Sequence, residues 1–132
     1  MPVSHASLRV LVVDDEPNIA DSLALILQSA GHQAAAVYCA GDAISAAHDL
    51  DPQVLISDVI MPGMNGIRLA GYFAEQFPAC KVLLISGSET TTGLLNEAKR
   101  RGDEFAFMQK PIPPKLILDF VAACGSLVSP AR

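Results

Sequence analysis

Short, continuous apolar segments that end in polar residues constrain the fold of this chain most. The clearest is 54–57, which runs directly into Asp58 and then into a loop containing Pro62 and Gly63. Uninterrupted apolar residues over such a length are typical of strands buried on both faces of a parallel sheet. Three further predicted strands also end in polar residues, so that the four sets of strand-end residues are Asp14 with Asp15, Asp58, Ser86, and Lys110.

Apolar runs predict four of five strands, the Ala-rich second strand is placed by its context, and five helices alternate with them. The strands are 8–13, 33–38, 54–57, 81–85 and 105–108, and the helices are 17–30, 42–50, 66–77, 90–101 and 114–124. Gly31 is the expected stop of the first helix, and Asp42 is the expected N-cap of the second. Such alternation indicates an α/β fold with a parallel sheet covered on both faces. We therefore expect a flexible lead-in (1–7), one domain (8–124) and a C-terminal tail (125–132).

Composition narrows the class of protein. The 132 residues, 51% of them hydrophobic, suffice for one domain with a substantial core. A net charge of −5 and only 5% aromatic residues argue against direct contact with nucleic acid. Cys39, Cys80 and Cys124 are far apart in the sequence, which favours reduced thiols over disulfides or a zinc site. No segment suits a membrane span or a signal peptide, so a cytoplasmic protein without membrane contact is expected.

The polar strand ends should lie together, because parallel strands bring their carboxyl ends to one edge of the sheet, where open α/β sheets bind ligands. Asp14, Asp15 and Asp58 would repel one another there unless a cation were present, and their oxygen atoms favour Mg²⁺ or Mn²⁺. Lys110 offers a positive charge and Ser86 a hydroxyl group to phosphate oxygens. The pattern predicts that Asp58 is a nucleophile that forms an acyl phosphate.

These residues resemble those of the receiver domains of two-component response regulators. The resemblance spans about residues 8–124 and rests on four features: the acidic pair Asp14–Asp15, the D-x-x-M-P-x-M-x-G signature that begins at Asp58, the hydroxyl residue Ser86, and Lys110–Pro111. It implies a flavodoxin-like, doubly wound (βα)5 sandwich with a five-stranded parallel sheet in the order 2-1-3-4-5.

The resemblance also implies a ligand set and a local geometry. Mg²⁺ or Mn²⁺ would be held by Asp15, Asp58 and the backbone carbonyl of Ile60, with Asp14 acting mostly through water. The Lys110–Pro111 peptide bond is expected to be cis, a form that costs only about 0.5–1 kcal/mol before proline. The bulky Ile60 side chain should hinder an attacking water and prolong the phosphorylated state.

A switch follows from the same resemblance. Phosphorylation of Asp58 by the phosphohistidine of a sensor histidine kinase or a phosphotransfer protein would draw Ser86 towards the phosphoryl group. Phe107, a core residue in any reading, would then turn inward. The change would reach an unknown downstream protein through the face built from the fourth predicted helix (90–101), the fifth strand and the fifth helix, here called the output face.

The predicted protein is a signalling switch that modifies only itself, and it is not an enzyme acting on an external metabolite. A monomer or weak dimer is expected, and the sequence leaves open whether the domain stands alone or belongs to a longer regulator. One alternative is a receiver-like interaction module that does not use phosphorylation. Another is a phosphohydrolase with an aspartyl nucleophile, which Ile60 disfavours because such enzymes usually carry a second Asp at that position.

Overall fold

Within residues 7–87, strands and helices alternate as predicted, and a strand followed by a helix is described again after residue 104. The computed structural model describes residues 7–87 and 105–127, so the predicted helix 90–101 lies outside the described residues. The strands are β1 (Arg9–Val13), β2 (Gln33–Val37), β3 (Val54–Asp58), β4 (Lys81–Ser86) and β5 (Ala106–Gln109), and the helices are α1 (Pro17–Ser29), α2 (Ala40–Leu50), α3 (Gly66–Gln76) and α4 (Pro114–Leu127). Helix α4 continues three residues beyond its predicted end at Cys124.

The five strands form one parallel sheet in the order β2-β1-β3-β4-β5, which confirms the expected topology. The central strand β3 pairs with β1 on one side and with β4 on the other. The end of β3 therefore has the ends of two other strands as its immediate neighbours. Asp58 occupies that position, at the middle of the sheet edge.

Apolar side chains fill a core on each face of the sheet. Alternate residues of β1 point to opposite faces, as the two-residue period of a strand requires. Leu11 and Val13 join a cluster with residues of α2 and α3, among them Phe73, which is fully buried. Val10 and Val12 join the other cluster, with residues of α1 and α4. This division confirms the doubly wound sandwich.

Helix α1 ends at the predicted glycine. Gly31 has a φ of +99°, a left-handed conformation that glycine adopts without a steric penalty. Its N–H donates to the carbonyl of Gln28 (3.0 Å), and the N–H of His32 donates to the carbonyl of Leu27 (3.1 Å). These two bonds form a Schellman motif, which satisfies carbonyl groups at the end of the helix and turns the chain towards β2.

The prediction that Asp42 caps α2 was wrong. The helix begins at Ala40, and its N-cap is Cys39, which has an extended backbone and whose sulfur accepts a hydrogen bond from the N–H of Asp42 (3.4 Å). A thiol is a weak acceptor, so nothing in the sequence favoured Cys39 as a cap. Asp42 lies instead in the first turn, where its negative charge complements the helix dipole.

The prediction that Phe107 is a core residue was also wrong, since 43% of it is exposed. It lies on β5, at the edge of the sheet, where the burial of successive residues alternates. Ala106 and Met108 pack against the cluster shared with α1 and α4. Phe107 therefore points to the opposite face of the sheet. Among the residues that the structure describes, no helix is long and apolar enough to cross a membrane.

Candidate functional site

Side chains from three strand ends meet at the carboxyl edge of the sheet. Asp14 follows β1, Asp58 ends β3, and Lys110 follows β5. The Nζ atom of Lys110 lies 3.3 Å from Oδ2 of Asp14 and 3.3 Å from Oδ2 of Asp58. The two carboxylate side chains are only 5% and 11% exposed, whereas that of Lys110 is 27% exposed. The ammonium group therefore bridges two nearly buried carboxylates and compensates part of their charge.

A third carboxylate completes an all-oxygen cluster. One ligand atom from each of Asp14, Asp15 and Asp58 can be chosen so that the three lie within 4.8 Å of one another. Asp15 is exposed, so the cluster opens to solvent on its side. Carboxylate oxygens are the ligands that Mg²⁺ and Mn²⁺ prefer, and one or two carboxylates with water are typical of magnesium sites. The residues present therefore fit a hard divalent cation.

Backbone hydrogen bonds hold the two inner carboxylates in place. Oδ1 of Asp14 accepts a hydrogen bond from the N–H of Glu16 (2.9 Å), and the N–H of Asp14 donates to the carbonyl of Val37 (3.2 Å). Oδ1 of Asp58 accepts a longer bond from the N–H of Ile60 (3.4 Å). Asp14 is thus bonded to the start of α1 and to the end of β2, whereas the carboxylate of Asp58 accepts a longer backbone bond.

The charges at the site shift the pKa values of two groups. Burial raises the pKa of Asp58 above its ordinary value, and the nearby Asp14 adds to this, although Lys110 acts in the opposite direction. For Lys110, burial alone would lower the pKa, but Asp58 and Asp14 together outweigh burial and raise it. Lys110 therefore stays protonated at neutral pH, and its charge favours the ionised form of Asp58.

The end of β4 supports Lys110. The N–H of Lys110 donates to the carbonyl of Ser86 (2.7 Å), and Ser86 itself is buried. The Lys110–Pro111 peptide bond is cis. A β-carbon added to Gly87 would lie 3.4 Å from Cδ of Lys110, so the lysine stem packs directly over this glycine. Ser86 and Gly87 thus form the surface on which Lys110 rests.

Gly66 is a residue whose role at the site sequence reasoning missed. It is the first residue of α3, and its N–H donates to the carbonyl of Val59 (2.8 Å). A β-carbon here would lie 2.9 Å from both the carbonyl carbon of Asp58 and Cα of Val59, and closer still to the carbonyl oxygen of Asp58. The signal was present in the sequence, because glycine is a poor helix former and stands at the start of a predicted helix.

The remaining predicted residues surround this centre. Ile60 lies two residues after Asp58 and is 46% exposed, so an apolar side chain stands in solvent beside the carboxylates. Phe107 precedes Lys110 by three residues, on β5. The structure thus brings together Asp14, Asp15, Asp58 and Lys110, places Ser86 at the neighbouring strand end, and leaves Phe107 on the outside of the sheet.

Comparison with known proteins agrees with this geometry. The response regulator receiver domain family matches residues 10–122. The DNA-binding response regulator MtrA of Mycolicibacterium smegmatis is 30% identical over 115 residues, which are 87% of this chain and 49% of MtrA. Protein PilH of Pseudomonas aeruginosa is 27% identical over 117 residues, which are 87% of this chain and 95% of PilH.

A solved structure supports the same assignment. Chemotaxis protein CheY4 of Vibrio cholerae has a TM-score of 0.78 and 27% identity, and the match covers 90% of this chain and 99% of CheY4. The chain spans about half the length of its MtrA relatives. The family match covers most of the chain, including β1 from Val10 onwards, the other four strands and the carboxylate–lysine cluster. The chain therefore belongs to the response regulator receiver domain family.

Proposed function

We propose that Asp58 accepts a phosphoryl group from the phosphohistidine of a sensor histidine kinase or of a phosphotransfer protein. The observation that carries this proposal is the position of the Lys110 ammonium group, 3.3 Å from the carboxylates of both Asp14 and Asp58. A positive charge held at this point can neutralise a phosphoryl group on Asp58. The protein modifies only itself and is not an enzyme with an external metabolite as substrate.

The transfer forms one bond and breaks another. A carboxylate oxygen of Asp58 attacks the phosphorus atom, the phosphorus–nitrogen bond to the donor imidazole breaks, and its electron pair leaves with the imidazole nitrogen. The product is an acyl phosphate on Asp58. Only the ionised form of Asp58 is a nucleophile, and burial raises the pKa of Asp58. Lys110 assists because its positive charge lowers this pKa. Its charge then lies next to the new phosphoryl oxygens.

A divalent cation belongs to this chemistry. Asp15, Asp58 and the backbone carbonyl of Ile60 are the proposed ligands of Mg²⁺ or Mn²⁺, and Asp14 contributes mostly through water. When bound, the ion supplies positive charge that offsets the negative charge of the transferring phosphoryl group. The all-oxygen composition of the carboxylate cluster supports this assignment.

The proposed switch connects Asp58 with the output face. Ser86 ends the strand next to β3, and its hydroxyl group is expected to move towards the phosphoryl group on Asp58. Phe107, which is exposed on β5, then turns inward. Such a change is a population shift between two packings, driven by contacts that the phosphoryl group makes in only one of them. A downstream protein would bind the output face in its altered state.

The setting of the protein is part of the same proposal. We place it in the cytoplasm, as a monomer or weak dimer, without direct contact to nucleic acid or membrane.

Ile60 is expected to prolong the phosphorylated state, because an exposed apolar side chain beside Asp58 cannot hydrogen-bond to an attacking water.

Intact mass after incubation with acetyl phosphate tests the proposal. The parent protein should gain one phosphoryl group in the presence of Mg²⁺ and none after the ion is chelated. Asp58→Ala should gain none, while Asp49→Ala, which removes an exposed carboxylate from α2, should behave as the parent. A folded parent protein that gains no phosphoryl group would instead favour an interaction module that works without phosphorylation.

A further inference from the structure

A cleft of about 520 Å³ lies beside the carboxylate–lysine site, between α1 and α4. Its walls are mainly aliphatic, and the apolar residues that line it are Ile19, Leu23, Ile85, Ile112 and Ile117. Clefts that bind small molecules commonly have volumes of about 300–1,000 Å³, apolar walls and a few polar groups. The volume and lining of this cleft therefore suit a small molecule.

The polar end of the cleft selects the kind of molecule. Asp14 and Lys110 both line the cleft, so a hydrogen-bond acceptor and a donor are close together at this end. A hydroxyl group can donate to the carboxylate and accept from the ammonium group. Asp14 and Lys110 are the charged residues among the described ones that line the cleft, and their charges cancel, so neither an anion nor a cation meets a net opposite charge there. The chemistry therefore favours an uncharged alcohol or phenol with a bulky apolar body.

We propose that this cleft binds an uncharged alcohol or phenol of this kind and that its occupancy changes the rate at which Asp58 is phosphorylated. The effect on phosphorylation rests on the proposed function, whereas the binding itself does not. Lys110 connects the two, because its side chain lines the cleft while its ammonium group contacts Asp58. A molecule that displaces the lysine stem from its position over Gly87 also displaces the charge beside the phosphoryl acceptor.

The isoleucines of the cleft provide the assay. The protein, labelled at isoleucine δ1 methyl groups, is titrated with 2-naphthol and followed by NMR. Saturable shifts are expected for Ile19, Ile85, Ile112 and Ile117, and not for Ile44 or Ile67, which pack in the cluster on the opposite face of the sheet. Equal shifts in both groups, or none in the cleft, would overturn the proposal.

A pair of leucines on α1 provides matched variants. Leu23 lines the cleft, so Leu23→Trp should fill it and weaken 2-naphthol binding by about tenfold or more. Leu25 is 62% exposed and does not line the cleft, so Leu25→Trp should bind as the parent does. If Leu23→Trp does not fold, Ile19→Phe fills the same cleft from one turn away, and unchanged binding by it would count against the proposal.

Two further comparisons separate the parts of the proposal. Naphthalene-2-carboxylate should bind more weakly than 2-naphthol, and tighter binding of this anion would refute the ligand class. Saturating 2-naphthol should slow the initial rate of phosphoryl gain from acetyl phosphate by about fivefold or more, because the Lys110 charge is displaced from Asp58. Methyl shifts with an unchanged rate would refute the coupling. A parent protein that never gains a phosphoryl group would refute the proposed function, while the methyl shifts would still report binding.

Discussion

Replacement of Gly66 by alanine should disturb the backbone that carries Asp58. The added β-carbon would lie 2.9 Å from the carbonyl carbon of Asp58 and from Cα of Val59, whereas real β-carbons essentially never approach other heavy atoms within 3.0 Å. Both contacts are with backbone, so no side chain can rotate away. The N–H of Val59 is in turn bonded to the carbonyl of Ile85 (2.9 Å), which ties this segment to β4. Relief requires α3 or the end of β3 to move.

The size of the effect follows from the cost of overpacking. Forcing one extra carbon into a closely packed region typically costs about 1–3 kcal/mol. With an entropy of unfolding of about 2.1 cal/mol/K per residue, a chain of 132 residues loses roughly 1 °C in Tm for each 0.28 kcal/mol. The expected fall in Tm of Gly66→Ala is therefore about 4–11 °C.

Gly71 supplies the matched control within the same helix. A β-carbon at Gly71 would meet no atom within 4 Å, so only helix propensity changes on substitution by alanine. This propensity favours alanine by about 0.5–1 kcal/mol, which predicts a rise in Tm of about 2–4 °C for Gly71→Ala.

Thermal unfolding followed by circular dichroism measures both changes, and intact mass after acetyl phosphate treatment measures phosphorylation. Gly66→Ala should melt lower and be phosphorylated more slowly than the parent, because the backbone of Asp58 has moved. Gly71→Ala should melt higher and be phosphorylated normally. Equal melting temperatures for the two variants would show that the close approach of α3 to β3 does not constrain the site, and would refute the reasoning.

Four further predictions concern the site and the thiols. Lys110→Met should slow phosphorylation by about a hundredfold, because the charge beside the phosphoryl group is lost. The same variant should bind Mg²⁺ more tightly in calorimetry, because Lys110 is the only cation among the described residues that bridges the carboxylates. Weaker Mg²⁺ binding would contradict this. Ser86→Ala should still be phosphorylated on intact mass but should not transmit the change, so full phosphorylation-dependent shifts of NMR signals on the output face would count against it. Ile60→Asn should speed loss of the phosphoryl group by about two- to tenfold, the value of one hydrogen bond to the attacking water, and an unchanged decay rate would refute that role. Cys39 is exposed and should react with a thiol reagent in the folded protein. Burial raises the pKa of Cys80 to about 12 and should delay its reaction until the protein unfolds. Equal reaction rates of the two thiols, measured by mass spectrometry, would contradict this.

The sequence predicted the strands well, and with them the central part of the site. Each apolar run is short and continuous, so its end could be located within one or two residues. Because the strands are parallel, their carboxyl ends lie at one edge of the sheet. This placed Asp14, Asp15 and Asp58 together without any knowledge of distances. The order of the strands came from the resemblance to receiver domains, because periodicity alone cannot tell which strand lies beside which.

The parts that were missed depend on contacts between distant segments. The alternation along β5 indicates two faces but does not show that Phe107 is partly exposed. The sequence shows a glycine at position 66, but the backbone that approaches it belongs to β3. The cleft beside Lys110 combines side chains from α1, β4, the segment after β5 and α4. None of these segments has a pattern of its own that indicates a binding site.

The position of β5 in the sheet sets a requirement for reach as well as for charge. Lys110 follows a strand that is two places away from β3, and neighbouring strands are about 4.8 Å apart, so the Lys110 side chain, the Asp58 side chain and the 3.3 Å contact between them together span roughly 10 Å. A long, unbranched side chain can cover most of this width, and the missing side chain of Gly87 leaves room for the lysine stem. A shorter amine at position 110 would carry the same charge but could not bring it into contact with the acceptor.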